Sequence, residues 1–483
     1  MRKLVLAVTL VAFFSGCAVG PDYERPKTDA PDKWRIDYPQ AADVANTRWW
    51  EQFGDPALDQ LIDTALRENR DLLIAAARVD QFIGQLTTTR SQFYPQIGYS
   101  FDASRNRASR VGQPPLAPGA DPYYSLYQGA LSAQWQIDLF GRVRRESEAA
   151  QAQVYASEQG RRGVILSLVT SVAASYIALR ALDRQLEISR ATAENYAGTQ
   201  KIFELRFKGG VVSEVELAQV ESQYQQALAA IPALEQQIAA QENLISILLG
   251  RNPGPIPRGR PVGEFAVPGI PGDLPSALLE RRPDILQAEQ TLVAANANIG
   301  AAKALYFPTL SLTGLLGSVS TAFGDFLTGP ASAWTLAAGL TGPIFTFGQI
   351  EGQVQTAEAF QREALASYQQ VIFNAFRETN DALVGTVKKR EEATAQVRRV
   401  AALREYARLS RLRFNNGYAG YLEVLYAENE LFGAELNAVR SQADSYTQVV
   451  NVYKAVGGGW VTEADKLAPQ PALGLTQNPR RSP

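Results

Sequence analysis

Alternating apolar and polar residues are the first structural signal in this chain. From Tyr127 to Leu139 the odd positions are apolar or small, and the even positions are mostly polar. A period of two gives a β-strand one apolar and one polar face. The same alternation predicts four strands, at about 96–104, 127–139, 309–317 and 334–345.

A helical period replaces the alternation directly after Phe140-Gly141. Between Leu182 and Phe207, mostly apolar residues recur at spacings of four and three, which is the heptad spacing of a helix seam. No proline interrupts residues 142–208, so we expect a helix of roughly 100 Å at about 1.5 Å per residue. Soluble hairpins on a compact core are the alternative, but a helix this long leaves no compact core beside the strands. The pattern therefore indicates a membrane barrel on an extended stalk.

The unit of strands and long helices occurs twice. The matched segments are 205–210 with 412–417, Phe140-Gly141 with Phe347-Gly348, and Phe93-Tyr94-Pro95 with Tyr306-Phe307-Pro308. The offset is 207 for the first two pairs (347 − 140) and 213 for the third (306 − 93). A constant offset over helices and turns indicates an internal duplication. The six extra residues of the first copy fall in the loop between its strands, where length changes belong.

Four strands require an oligomer. They cannot close a barrel, and an open sheet edge cannot lie in lipid. Known single-chain barrels begin at about eight strands, and a trimer would supply about twelve. The predicted lumen lining is polar and neutral, which suits a wide water path better than a selective ion filter. Its residues are Gln128, Ser132, Gln134 and Gln136.

The N-terminus reads as a secretion signal. In residues 1–16, Arg2-Lys3 precede an apolar core that is too short to span a membrane. The run from Phe14 to Cys17 resembles a bacterial lipobox, which implies cleavage before Cys17 and attachment of N-acyl and S-diacylglycerol lipid to it. An ordinary signal with an unpaired cysteine is the alternative, although a free thiol is a liability in an oxidising compartment. Ala18 favours the outer membrane by the same likeness.

Composition argues against several function classes. The 47 basic and 49 acidic residues nearly cancel, and no basic stripe indicates nucleic acid. The chain has no histidine, one cysteine and one methionine, which removes the commonest general base and the soft metal ligands. With no nucleophile motif and no phosphate loop, we predict no enzyme, no metal site and no bound cofactor.

The predicted organisation follows from these signals. It comprises the signal 1–16, a lipid-anchored extended segment 17–54, a first repeat 55–250 with its helical tip at 208–213, a linker 251–273, a second repeat 274–457 with its tip at 415–420, and a tail 458–483. We expect one helix from Asp55-Pro56 to about Tyr94, and disorder from Glu463 onward. Pro232 is expected to kink the closing helix of the first hairpin, whereas its counterpart Val439 (232 + 207) is not.

Several motifs recur together. They are the lipobox-like Cys17, the segments 19–23 and 50–56, the doubled Tyr-Pro or Phe-Pro and Phe-Gly junctions, and two Arg-Phe-x-x-Gly tips. In combination they resemble the outer membrane efflux factors, the TolC-like channels, and their lipoprotein (OprM-like) branch. The resemblance implies a mainly α membrane protein. Long helical hairpins would form a periplasmic tunnel, and four strands per chain would close as a 12-stranded β-barrel in a homotrimer. It also implies a periplasmic adaptor protein and an inner-membrane pump, usually of the resistance-nodulation-division class.

The resemblance also implies site residues. In the family, the helix after the second tip sets the closed end of the tunnel, so Leu422, Tyr426 and Glu428 are the candidate constriction. Leu422 and Tyr426 share a helix face, and Glu428 would add a charged ring. Family members often carry Asp where Tyr426 stands, so an aromatic and apolar constriction is expected here. Helix packing is the alternative role for Leu422 and Tyr426.

The tips are candidates for adaptor docking as well as simple turns. Their residues are Gly209, Gly210, Asn416 and Gly417.

These features predict an exit duct that passively conducts drugs or other small toxic compounds out of the cell. The expected location is the outer membrane of a Gram-negative bacterium, with a lipid anchor and an extension into the periplasm. A protein-secretion duct is one alternative, because a neutral lining does not identify the substrate. A trimeric surface adhesin is another, but its strands would lie together near the C-terminus. Here the strand pairs lie around 96–139 and 309–346.

Overall fold

The structure, a computed structural model, describes residues 18–27, 47–112, 116–117, 119–270 and 278–473. Cys17 and the signal lie outside the described residues. The helices and strands are α1 (Pro56–Glu68), α2 (Arg70–Ser91), β1 (Gln96–Arg107), β2 (Tyr123–Ile137), α3 (Arg142–Lys208), α4 (Glu214–Leu248), α5 (Leu278–Arg281), α6 (Pro283–Lys303), β3 (Thr309–Ser320), β4 (Ser332–Thr341), α7 (Gln349–Asn415), α8 (Tyr421–Val456) and α9 (Trp460–Asp465).

The elements recur at the two offsets found in the sequence. Helices α3 and α7 both have 67 residues, and both of their ends differ by 207 (349 − 142 and 415 − 208). Strands β1 and β3 both have 12 residues and start 213 apart (309 − 96). The tips 208–213 and 415–420 each separate a 67-residue helix from its returning partner. α4 continues through Pro232 as a single helix.

The four strands form one antiparallel sheet in the order β1-β2-β3-β4. β1 and β3 run three residues past their predicted ends. β2 stops at Ile137 rather than Leu139 because the Asp138 carboxylate accepts hydrogen bonds from the first amides of α3, at 3.1 and 3.0 Å. β4 stops at Thr341, before the predicted 345, because Pro343 cannot donate to a ladder.

Asn69 divides the predicted first helix into α1 and α2. Its backbone is extended (φ −61°, ψ 133°), and its side-chain oxygen accepts from the amides of Asp71 and Leu72 at 2.8 and 3.1 Å. An Asn side chain that bonds nearby amides competes with a continuing helix. Its amide group also donates to the carbonyl of Leu248, at 2.9 Å, which fastens the break to the end of α4.

Aromatic residues from both ends of the chain form the main core. Trp49 stacks on Tyr453 at 4.9 Å between ring centroids and meets Trp460 edge-on at 5.9 Å. Trp460 lies in α9, and the buried Arg161 binds Asp465 at 2.6 Å. The expected disorder from Glu463 is therefore wrong as far as residue 473, because this segment packs on the long helices.

One helix of the described residues is long and apolar enough to cross a membrane. It is α3, and 67% of its most apolar window is buried inside the protein. Burial of that kind is typical of a core helix. The sheet, by contrast, leaves large apolar side chains such as Tyr99, Trp334 and Leu336 uncovered.

Asp55 fastens α1 to the core. It caps the helix as expected, accepting from Ala57 N at 2.9 Å, and also accepts from the Tyr176 hydroxyl at 2.9 Å and Arg260 N at 3.0 Å. Asp55 is fully buried. Its removal would leave three donors without their acceptor, which is expected to be costly.

Asp55→Ala is therefore expected to lower the free energy of unfolding by about 2–4 kcal/mol. Asp55→Asn, which keeps one acceptor oxygen, should lose less. Thermal unfolding followed by circular dichroism measures both. Glu187→Ala, which breaks an exposed ion pair with Arg184, is the control and should cost at most about 1 kcal/mol. Equal stability of Asp55→Ala and Glu187→Ala would contradict this role for Asp55.

Candidate functional site: sheet faces, helical tips and N-terminal strap

The predicted lumen residues share one face of the whole sheet. In an antiparallel ladder, residues directly opposite each other point to the same face. Gln134 lies opposite Gln96 of β1 and Thr313 of β3, and Gln136 lies opposite Ser311. The polar face therefore extends across the strands, as a water-filled lumen requires.

The opposite face is apolar and exposed. Its large side chains include Ile97, Tyr99, Phe101, Leu131, Leu316, Trp334, Leu336 and Leu340. A contiguous apolar surface of this size on a sheet needs a covering partner or a membrane. The two faces together have the polar-inside, apolar-outside pattern of a transmembrane barrel strand.

Leu422 and Tyr426 lie one turn apart near the start of α8, and both are exposed. Their relative exposures are 62% and 61%. Neither residue is buried within this chain, which disfavours a role limited to packing between its own helices. Their role in a constriction remains a prediction, because it depends on neighbouring chains.

Glu428 does not lie on the face of α8 where the charged ring was expected. Two residues after Tyr426 on a helix correspond to about 200° of rotation, so the two side chains cannot share a face. The Glu428 side chain is only 15% exposed and forms an ion pair with Arg411 of α7. Burial raises the pKa of Glu428 above its ordinary value, and Arg411 opposes that rise. The ion pair between Glu428 and Arg411, which we call the clasp, therefore joins α7 to α8.

The two tips have the same backbone geometry. Gly210 and Gly417 adopt left-handed conformations with φ of 72° and 80°. In each tip, the amide of the next residue donates a hydrogen bond that closes the turn. Val211 N donates to Arg206 O at 2.8 Å, and Tyr418 N donates to Arg413 O at 2.9 Å. These bonds satisfy the last helix carbonyls. Gly209 and Asn416 are the preceding helix caps, with φ of −84° and −95°.

Sequence reasoning missed an aromatic cluster that joins the two tips. The ring of Phe203 lies 4.2 Å from that of Tyr421, and Phe414 lies 5.0 Å from Tyr421. The Arg206 guanidinium lies over the rings of Phe203 and Phe414. Arg206 and Phe414 come from the repeated Arg-Phe pairs, which were a partial signal, but Phe203 and Tyr421 lie outside those pairs. The cluster makes the two tips one unit.

The segment 18–27, which we call the strap, crosses the junction between sheet and helices. Val19 N donates to Phe140 O at 3.2 Å, and Arg145 donates to Asp22 at 2.7 Å. A Cβ on Gly141 would lie 2.7 Å from the Ala18 Cα, so only glycine allows this crossing. The strap also reaches the second repeat.

Two contacts with α6 complete the strap. Asn296 donates to Pro21 O at 3.0 Å, and Glu289 accepts from Arg25 at 2.9 Å. Burial raises the pKa of Tyr23, and Glu289, which accepts from its hydroxyl at 3.2 Å, adds to the rise. The first described residue, Ala18, is therefore held at the base of the sheet.

Within the described part of the chain, no group of three or more His, Cys, Asp or Glu residues could hold a metal ion.

The comparisons with known proteins agree over nearly the whole chain. Residues 61–251 and 274–458 match the family described as outer membrane efflux protein. An antibiotic efflux pump outer membrane protein, ArpC of Pseudomonas putida, is 32% identical over 98% of this chain and 99% of its own. A probable outer membrane lipoprotein, SilC of Salmonella typhimurium, is 31% identical over 95% of this chain and 100% of its own.

A solved structure shares the fold. The open state of the MtrE outer membrane channel of Neisseria gonorrhoeae has a TM-score of 0.83 at 30% identity, covering 92% of this chain and 99% of that one. The two matching segments, 61–251 and 274–458, overlap the predicted repeats 55–250 and 274–457.

Arg411→Gln tests the clasp between α7 and α8. It would leave the buried Glu428 without a counter-charge and raise its pKa further, at a cost of about 1–3 kcal/mol of local stability. We expect faster amide hydrogen exchange in the first turns of α8 at neutral pH. A carboxyl with a raised folded-state pKa loses stability as pH rises through that pKa, so acidification should reduce the defect.

Arg408→Gln is the matched control, because its partner Glu405 is exposed. Adding Glu428→Gln to Arg411→Gln should restore protection. If the amides in the first turns of α8 exchange at the same rates in Arg411→Gln and Arg408→Gln at every pH, the clasp has no energetic role.

Proposed function

The chain belongs to the outer membrane efflux protein family, and we propose that it works as a homotrimer in a tripartite pump that expels drugs or other small toxic compounds. It is the outer membrane exit duct of an efflux pump. The observation that carries this function is the two-faced sheet joined directly to helices of 67 residues. The family is one of transport ducts, and we propose no catalytic activity for the chain itself.

Closure of the sheet supports the trimer. β1 and β4 are the two edges of the sheet, and their free amides and carbonyls need partners in lipid. Pairing β4 of one chain with β1 of the next gives a closed antiparallel barrel of about twelve strands. The polar face, with Gln134 and Gln136, then lines the lumen, and the apolar face meets lipid.

The tips are the proposed docking site of a periplasmic adaptor. They lie at the end of α3 and α7 opposite the sheet, and Val211 and Tyr418 are exposed there. Exposed apolar side chains beside rigid glycine turns suit a protein partner. The pump that supplies the energy would then lie in the inner membrane, and we propose the resistance-nodulation-division class.

The strap supports lipid attachment at Cys17. Cys17 directly precedes Ala18, which passes over Gly141 where the sheet meets α3. A chain attached there would reach the inner surface of a bilayer that contains the sheet. The name of the relative SilC, a probable outer membrane lipoprotein, agrees with this assignment.

Cys17→Ser tests the lipid. We expect metabolic labelling with radioactive palmitate to be abolished. A closed barrel should still anchor the chain, because lipid contributes only in proportion to its buried methylenes. Unchanged labelling of the variant would contradict attachment at Cys17, and labelled wild-type chain in the outer membrane fraction is the positive control.

Tyr426→Cys tests the duct and its constriction. Cells carrying the variant are treated with a thiol oxidant and then a reductant, while chain-to-chain cross-links and dye efflux are measured. If Tyr426 of neighbouring chains meets at the closed end, oxidation should cross-link the chains and stop efflux. The reductant should restore it.

Ala427→Cys is the matched control, because Ala427 is the next residue and fully buried within its chain. It should neither cross-link nor lose efflux. Absence of cross-links in Tyr426→Cys would remove the constriction. Dye efflux that survives deletion of the chain would favour the protein-secretion alternative.

A further inference from the structure

The loop 321–331 between β3 and β4 folds back over one face of the sheet. The ring of Phe323 lies 5.5 Å from that of Tyr127, and the ring of Phe326 lies 5.5 Å from that of Phe101. Both partners belong to the apolar face, since Tyr127 pairs with Ala103 and Phe101 with Gly129. The loop therefore runs sideways across β2 to β1 instead of extending beyond the strand ends.

Gly129 provides the space for this contact. A Cβ at Gly129 would lie 2.6 Å from the Phe326 Cζ. A glycine in a strand interior weakens the strand and marks a close approach. Hydrogen bonds within the loop also hold its shape. Asp325 N donates to Ala322 O at 3.2 Å, and Thr328 N donates to Asp325 O at 3.0 Å. The space at Gly129 and the hydrogen bonds within the loop thus both favour this position of the loop against the sheet.

Beside the loop, the apolar face of the sheet carries positive charge. Along β1, Tyr99 and Phe101 are followed on the same face by the exposed Arg105 and Arg107 at the end away from the helices. Arg105 donates to the Ser125 hydroxyl at 3.0 Å, and Arg107 lies over the ring of Tyr123 at 5.7 Å. Among the described residues, neither guanidinium has a carboxylate partner. Each guanidinium carries five N–H donors, so both keep donors for a ligand.

We propose that loop 321–331 and Arg105 with Arg107 form a collar that binds a phosphate-bearing lipid of the outer leaflet. This inference rests on the proposed function, which places the apolar face in the membrane. Phe323 and Leu327, exposed at 67% and 88%, would contact the acyl chains. Aromatic side chains favour the membrane interface, and arginines bind phosphate through paired hydrogen bonds. The loop lies outside the barrel and leaves the lumen open.

The position of the loop is tested with spin labels in the full-length lipidated chain, reconstituted in vesicles that contain lipid A. Labels are placed at Leu327→Cys in the loop, Leu336→Cys on the apolar face and Thr335→Cys on the polar face. Collision with oxygen reports lipid, and collision with a water-soluble nickel complex reports water. We expect the label at position 327 to collide with oxygen and with the nickel complex at rates similar to those of the label at position 336. Collision rates like those of the label at 335 would overturn the collar, because the loop would then lie in water and away from the lipid.

Lipid binding is tested by retention after purification in detergent. The protein is incubated with bisphosphorylated or dephosphorylated lipid A, and bound lipid is counted by native mass spectrometry. We expect wild type to retain bisphosphorylated lipid A and the variant Arg105→Gln with Arg107→Gln to retain on the order of tenfold less. Equal retention by the variant, or equal binding of dephosphorylated lipid A, would overturn the proposal.

A charge-matched control separates local from general effects. Arg390→Gln with Arg398→Gln removes the same charge from exposed positions on α7 and should retain lipid as wild type does. Phe326→Ala, which frees the loop without touching an arginine, should weaken retention less than the double arginine variant.

Dye efflux from cells identifies which idea fails. If wild-type cells export no more dye than cells that lack the chain, both the duct and the collar are overturned. If wild type and the arginine variant both restore dye efflux and retain lipid A equally, the collar alone is overturned.

Discussion

A sheet in hydrocarbon cannot keep an unpaired edge, and most of this structure depends on that constraint. Each unpaired backbone group in lipid costs several kcal/mol, by order of magnitude, which is more than side-chain contacts at the rim can offset. Four strands with edges at β1 and β4 therefore need other copies of the chain. In the proposed trimer, the duplication would help to meet this need, because two similar units per chain would place similar hairpins around the ring. The 67-residue helices would continue the same ring away from the membrane.

The helical part solves a different problem, which is to keep long rods in register. The tip cluster around Phe203, Phe414 and Tyr421 ties the two hairpins together at one end. The tryptophan core around Trp49 and Trp460 ties them in the middle. Between these points, ion pairs such as Arg411 with Glu428 connect α7 to α8. Leu422 and Tyr426 are left free on the other side of α8, available to neighbouring chains.

Periodic features could be predicted from the sequence, and features that depend on distant partners could not. The strands, the tips and the offsets of 207 and 213 followed from local pattern, and the structure places the elements accordingly. The break at Asn69 was missed because a capping side chain overrides helical periodicity over one residue. The disorder expected from Glu463 was wrong as far as residue 473 because the polar composition does not reveal the ion pair between Asp465 and the buried Arg161, which lies 304 residues earlier. Glu428 was misplaced because its partner lies 17 residues earlier on another helix.

The strap has a consequence for the order in which the chain matures. Its residues are among the first to leave the ribosome, yet their partners Glu289 and Asn296 lie 266 and 275 residues later. Closing so large a loop is entropically costly and slow compared with forming local helices. The strap can contact Phe140 and Arg145 of the first repeat earlier, but its docking is complete only after the second repeat has followed the first. A chain cut short before α6 would lack the partners of Pro21, Tyr23 and Arg25, and this exposed part of the strap is a feature by which a periplasmic protease could distinguish unfinished copies from complete ones.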